Sequence, residues 1–213
     1  MNKVKIPNYS FSEEMINSVS HGVGGIFSVV GLIIMLVNVQ NKITFTSYFI
    51  YGMSLILLYL ISCVYHAIPP YLKLKKIFRV IDHCNVFLLE AGTFTPICLL
   101  LIGGVEGFIY FVIIWLITII GIILNIVNVD KYQMFSLFLH LLIGWSVVLL
   151  LKKILIILDI KGIIFLFGGG ILYSIGAFLY KIGATKKYMH SVFHFFCLAG
   201  SLFHFFLIFL YCK

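Results

Sequence analysis

The chain has 213 residues, of which 62% are hydrophobic and only 10% are charged. Soluble domains carry about 25% charged residues, so this composition excludes an ordinary soluble protein and indicates an integral membrane protein. Lys and Arg outnumber Asp and Glu to give a formal charge of +8. No basic run interleaved with aromatic residues lies outside the apolar segments, which argues against nucleic acid as a partner.

Seven apolar segments are long enough to cross the hydrocarbon core of a bilayer, which takes about 20 residues as a helix. They predict one all-α domain over residues 1–213, a bundle of seven transmembrane helices with short connections. Acidic residues precede the first segment and no cleavage site follows it, so we expect that segment to be retained. The predicted spans are 18–38, 48–68, 82–102, 107–127, 134–152, 160–180 and 190–211.

The distribution of Lys and Arg predicts the orientation, because cytoplasmic loops are enriched in these residues. With the N-terminus inside, ten of the fifteen lie on the cytoplasmic side and five on the other. Three lysines between the fifth and sixth spans, Lys152, Lys153 and Lys161, argue the other way. On balance the sequence predicts a multi-pass protein with its N-terminus in the cytoplasm and its C-terminus outside.

Two histidines four residues apart, His190 and His194, begin the last apolar segment. On a helix this spacing places both imidazoles on one face, one turn apart, where they could bind a single metal ion. In the predicted orientation His66, Ser62 and Asp82 lie at the same leaflet, the inner one. Ionisable groups inside spans are costly and usually face the bundle interior or a water-filled cavity. The sequence therefore favours a metal site on the three histidines over unrelated interfacial residues.

The carboxylate of Asp82 has two interpretations that the sequence favours equally. It could face the histidines, or it could form a salt bridge to Arg79 or Lys76 on its own helix. His21 and His83 lie at the same depth but have no partner at ligand spacing. For these two we expect hydrogen-bonding roles around the site rather than metal binding.

Three ionisable residues lie away from this leaflet. Glu90 is eight residues beyond Asp82 and so about 12 Å deeper, where an isolated carboxylate should be protonated or paired and could line a cavity. His204 is fourteen residues beyond His190, about 21 Å further along the helix axis, so the two cannot share a metal. His140 lies within the fifth span and has no predicted role.

Four short motifs follow one another along the chain. They are Glu13-x-x-x-Asn17-x-x-Ser20-His21, Ser62-x-x-x-His66, Asp82-His83 followed by Ala91-Gly92-Thr93-Phe94-Thr95-Pro96, and His190-x-x-x-His194. In this order they resemble the hemolysin III family, which belongs with the progestin and adipoQ receptors. The wider superfamily consists of proposed membrane hydrolases and includes alkaline ceramidases. The short chain resembles the bacterial branch, which implies the plasma membrane of a bacterium, and Glu90 departs from the apolar residue expected there.

The resemblance implies a zinc ion held by His66, His190 and His194, with Asp82 beside a zinc-bound water and Ser62 next to it. Three nitrogen ligands and an open fourth position are typical of catalytic zinc. The sequence therefore predicts a zinc-dependent hydrolase of a lipid amide or ester at the inner leaflet, contributing to membrane lipid homeostasis. Residues expected around the ligands are Glu13, Asn17, Ser20, His21 and His83.

Two other functions stay open. In one, structural zinc ties the helices together, and the bundle is a receptor-like or membrane-state-sensing protein without enzymatic activity. In the other, the protein is a pore-forming cytolysin, although seven continuous apolar spans could not remain dissolved outside a membrane. The sequence names neither the lipid nor the oligomeric state, and imidazole also suits divalent metals other than zinc.

Overall fold

The fold is a bundle of long helices, described by a computed structural model over residues 4–37 and 39–213, a part of the chain that contains no strand. Six helical segments in it are long and apolar enough to span a membrane. The all-helical, multi-pass membrane protein predicted from composition is therefore confirmed. The helices are α1 (Phe11–Leu36), α2 (Lys42–Ala67), α3 (Lys73–Pro96), α4 (Gly104–Trp145), α5 (Leu151–Ile157), α6 (Ile160–Gly183) and α7 (Met189–Tyr211).

Helix α1 begins well before the predicted span 18–38 because a capping box starts it. The Ser10 hydroxyl accepts the Glu13 backbone N–H, and the Glu13 carboxylate accepts the Ser10 N–H at 2.9 Å. This reciprocal pair satisfies two of the donors that a helix start leaves free. As a result Asn17 and His21 lie on the buried face of a regular helix.

Helix α3 also begins earlier than predicted, at Lys73 rather than at residue 82. Asp82 therefore lies more than two turns inside the helix instead of at its first residue. Pro96 has no N–H to donate, and the helix widens after it into a π-helix over Ile97–Ile102. The chain leaves this helix at Gly103, whose φ of +63° favours glycine.

The predicted spans 107–127 and 134–152 belong to one apolar stretch, Gly104–Ile157, which is 54 residues long. Its backbone leaves the helical region at Asn128, where φ is −167° and ψ is 93°. The stretch folds back there. A contact between its two halves shows this, since the Tyr110 hydroxyl donates to the Ser146 carbonyl oxygen at 2.8 Å. In a straight helix these residues would be about 54 Å apart along the axis. We call 104–127 and 129–145 the first and second limbs of α4.

The last helix contacts the first, since α7 packs against α1 as well as against α6. Helix α1 also packs against α2. Large side chains such as Tyr51, Tyr59, Phe87 and Leu207 are fully or almost fully buried between the helices. A cavity of about 500 Å³ remains, lined mainly by α3, the second limb of α4, α6 and α7. This packing places the starts of α1, α3 and α7 around one mouth of the cavity.

Candidate metal centre

Three histidines from two helices converge beside the cavity. His66 lies near the end of α2, His190 and His194 lie in the first two turns of α7, and all three are buried. Each can offer one ring nitrogen, and these nitrogens lie within 4.8 Å of one another. The two Nε2 atoms of His190 and His194 are 3.2 Å apart. Two nitrogens bound tetrahedrally to one zinc at about 2.0–2.1 Å would be separated by about 3.3 Å, so the residues fit this ion.

Glu14 orients the first of these histidines. Its Oε2 lies 2.6 Å from Nδ1 of His66, and its Oε1 accepts a hydrogen bond from Lys75 at 2.6 Å. Lys75 is fully buried and also donates to the Ile68 carbonyl oxygen. A carboxylate on Nδ1 selects the tautomer whose Nε2 is free to bind a metal. That Nε2 atom is buried and has no hydrogen-bond partner within 4–37 and 39–213, and a metal ion would supply one.

The sequence did not single out Glu14 or Lys75. One signal could have found Glu14, the Ser10-x-x-Glu13 capping box, because a helix that starts there carries Glu14 into its first turn. Lys75 has no comparable signal. Its role depends on how the chain turns between α2 and α3, which local sequence does not specify.

We expect Glu14→Gln to lower the metal affinity of the purified protein by about 10- to 100-fold, the usual effect of losing a carboxylate behind a ligand histidine. Competition with a chelator of known affinity measures this change. The matched control is Glu106→Gln, which removes another lysine-paired carboxylate, 2.8 Å from Lys153 and far from the histidines. Equal affinities for wild type and Glu14→Gln would contradict the role assigned to Glu14.

Three residues predicted to surround the ligands do contact them, and all three come from α1. The Ser20 hydroxyl lies 3.4 Å from Nδ1 of His194, and the Asn17 amide nitrogen lies 3.5 Å from Nδ1 of His66. The ring of His21 stacks on that of His194 with centroids 3.6 Å apart. Helix α1 therefore packs directly against two of the three histidines.

Two further residues from that predicted set lie farther away. Glu13 accepts the backbone N–H of Tyr188 at 2.7 Å and so fixes a residue with a φ of +62° just before α7. His83 lines the cavity, where its ring lies 6.1 Å from that of Tyr180. No hydrogen bond joins either residue to His66, His190 or His194 in the part of the chain described.

Asp82 and Ser62 face the cavity beside the histidines of α7. Ser62 comes from α2 and Asp82 from α3, so two helices contribute these polar groups to one cavity wall. Arg79 pairs instead with Asp130 at 2.6 Å. Among the residues with described positions, no salt bridge joins Asp82 to Arg79 or Lys76, and Asp82 lines the same cavity as His190 and His194.

The segment ahead of α1, residues 5–9, covers the mouth of the cavity. The ring of Tyr9 stacks on that of His190 with centroids 4.8 Å apart. Arg79 donates to the Lys5 carbonyl oxygen, and the Lys5 N–H donates to Asp130 at 2.8 Å. Burial raises the pKa of the Tyr9 phenol above its usual range, so that the side chain stays neutral. The sequence did not single out this segment.

The remaining histidines lie deeper. Nδ1 of His140 is 2.9 Å from Oε2 of Glu90, which gives that carboxylate the partner its depth requires. Nε2 of His204 lies 3.2 Å from the Leu166 carbonyl oxygen. The side chains of Glu90, His140 and His204 all line the cavity, but none of them belongs to the three-histidine cluster.

Comparison with known proteins decides the family. Residues 9–205 match the family described as "Haemolysin-III related". The chain belongs to this family. The "Hemolysin-3 homolog" of Bacillus subtilis (strain 168) is 35% identical over 207 residues, 96% of each chain. "Hemolysin-3" of Bacillus cereus is 35% identical over 202 residues, which are 93% of this chain and 91% of the relative.

A more distant relative comes from animals. The human "Monocyte to macrophage differentiation factor" is 25% identical over 170 residues, which are 76% of this chain and 68% of that protein. The resemblance inferred from the four motifs is therefore confirmed, and it extends over most of the chain. The matched region includes all three histidines of the cluster.

Proposed function

We propose that the protein is a zinc-dependent hydrolase of a lipid amide or ester at the inner leaflet and contributes to membrane lipid homeostasis. The observation that carries this proposal is the buried three-histidine cluster with a carboxylate and a hydroxyl facing the same cavity. Three protein ligands are typical of catalytic zinc, whereas structural sites usually have four. The ligands would be His66, His190 and His194.

The residues around the cluster suit hydrolysis of a carbonyl compound. Bound zinc would lower the pKa of water toward about 7 and so supply a nucleophile at cytoplasmic pH. In this proposal Asp82 orients the attacking water and accepts its proton. Ser62 donates a hydrogen bond to the carbonyl oxygen as negative charge develops there. Glu14 and Ser20 keep two of the histidine rings in a fixed orientation.

The shape and lining of the cavity suit a lipid. Beyond Asp82 its walls are mostly apolar, with Val86, Leu89, Phe94 and Ile97 contributed by α3. An acyl chain could lie along this apolar wall with its carbonyl group at the polar end. The volume of about 500 Å³ lies in the range typical of small-molecule sites.

We also propose that the two limbs of α4 cross the membrane separately, which gives seven crossings with the N-terminus inside and the C-terminus outside. The reversal at Asn128 and the excess of Lys and Arg on the predicted cytoplasmic side support this topology. We expect alkaline phosphatase fused after Lys213 to be active in intact cells and a fluorescent protein fused there to stay dark. Six crossings with the N-terminus inside would place the C-terminus inside as well and reverse the result.

The proposed activity is tested on purified full-length protein loaded with stoichiometric zinc. The measurement is release of free fatty acid from a panel of lipid amides and esters, before and after zinc is removed with a chelator. We expect cleavage of at least one class, its loss on chelation and its recovery when zinc is restored. Loaded protein that cleaves no member of a broad panel would exclude the hydrolase.

A receptor-like protein with structural zinc is the second candidate. The stacking of Tyr9 on His190 and the hydrogen bonds of Lys5 to Arg79 and Asp130 favour it, because they hold residues 5–9 against the polar end of the cavity. It predicts bound lipid that stays intact during incubation with loaded protein. The cytolysin has no such support in the structure, and toxic activity in cell-free supernatant of an intact producer is the result that would favour it.

A further inference from the structure

A pair of ionisable side chains faces the middle of the lipid cavity. Oε2 of Glu90, on α3, lies 2.9 Å from Nδ1 of His140, on the second limb of α4. The ring of His140 also packs on Phe87 with centroids 3.9 Å apart, which fixes its plane. About a fifth of each side chain is accessible, and both line the cavity. A ligand in the cavity can therefore contact both side chains.

The pair has hydrogen-bonding capacity that the protein does not use. Within residues 4–37 and 39–213, Oε1 of Glu90 and Nε2 of His140 have no hydrogen-bond partner. An apolar cavity penalises unpaired polar atoms, and a ligand group that pairs with them removes the penalty. A hydroxyl group suits this site, because it can donate to Oε1 of Glu90 without the cost of taking a charge out of water.

The pair lies at a defined distance from the proposed reaction centre. Eight residues of α3 separate Asp82 from Glu90, a rise of about 12 Å along the helix. Both residues line the same cavity. A chain whose carbonyl group lies beside Asp82 would thus pass Glu90 near the middle of the membrane, where an unsubstituted acyl chain offers no hydrogen bond.

We infer that Glu90 and His140 bind a hydroxyl group on the acyl chain of the ligand, so that the protein selects hydroxylated chains. The inference rests on the proposed function, since it assumes that an acyl chain occupies the cavity with its carbonyl end toward Asp82. The hydroxyl donates to Oε1 of Glu90, and the ring of His140 holds the carboxylate in place. Glu90 is then a residue that determines specificity, and it has no part in bond cleavage.

Binding of two fatty acids to the full-length protein tests this inference without requiring turnover. Decanoate has about the required length when extended, and ω-hydroxydecanoate adds a hydroxyl at its far end. Affinities come from displacement of a fluorescent fatty acid. We expect wild type to prefer ω-hydroxydecanoate by about tenfold, the effect of one hydrogen bond to a charged group. In Glu90→Leu the preference should disappear, with decanoate bound at least as well as by wild type.

Two further variants make the result specific. Glu90→Gln keeps a hydrogen-bond acceptor and should retain part of the preference, whereas Glu106→Gln removes a remote carboxylate and should retain all of it. The inference is overturned if wild type binds neither fatty acid, if Glu90→Leu keeps the preference, or if ω-aminodecanoate binds better than the hydroxy acid. Hydroxyl preference in a protein that cleaves no lipid would refute only the hydrolase, and cleavage without that preference would refute only this inference.

Discussion

His194→Ala is expected to remove the metal and the activity together. His194 is almost completely buried and contributes the Nε2 atom closest to a second ligand, 3.2 Å from that of His190. With two ligands left, the bound metal should fall from about one ion per chain to below about a tenth, because zinc sites in proteins need at least three. Metal analysis of the purified variant beside wild type measures the change, and the lipid-cleavage assay should show no product.

The matched control for this variant is His204→Ala. It removes another buried histidine of α7 that lines the same cavity but bonds to the Leu166 carbonyl oxygen instead of lying in the cluster. We expect full metal content in the control. A His194→Ala protein that keeps its metal would rule out the three-histidine site, whatever its effect on stability.

Asp82→Asn is expected to separate metal binding from catalysis. The substitution keeps the size of the side chain and all three histidines, so the bound metal should stay at the wild-type level. An amide cannot accept the proton of the attacking water, so the cleavage rate should fall by about 10²- to 10⁴-fold, the usual contribution of a general base. Cleavage rates of metal-loaded variant and wild type on the same lipid measure the effect.

Asp159→Asn serves as the control for Asp82. Asp159 caps α6 and accepts a hydrogen bond from Tyr211, at the opposite end of α6 and α7 from the histidine cluster. The Asp159→Asn variant should cleave lipid at the wild-type rate. Equal cleavage rates for Asp82→Asn and wild type would exclude Asp82 as the general base.

The three-histidine cluster was predictable because it depends on two simple regularities. The spacing of His190 and His194 specifies one helix face, and the alternation of spans between leaflets brings His66 to the same depth. The roles of Ser20 and Asn17 were implied by family resemblance, and both residues do contact ligand histidines.

Other parts of the site could not be predicted from the sequence, because they depend on where the helices begin and on how the segments between them fold. Hydropathy marks the apolar part of a helix but not its polar first turns, so Glu14 and the early start of α3 were not predicted. The contacts of Lys75 and of Tyr9 depend on how the segments between helices fold back. Such contacts join residues far apart in the chain, and no local pattern in the sequence encodes them.

The separation of the ligands along the chain has a consequence for synthesis. His66 lies in the second helix and its two partners lie in the last one, so residues 67–189 must be made before the site can exist. A ribosome adds about 5–20 residues per second, so His66 waits for its partners for seconds or longer. Metal uptake would therefore mark a chain that has been inserted to its last helix, and a truncated chain would not acquire the ion.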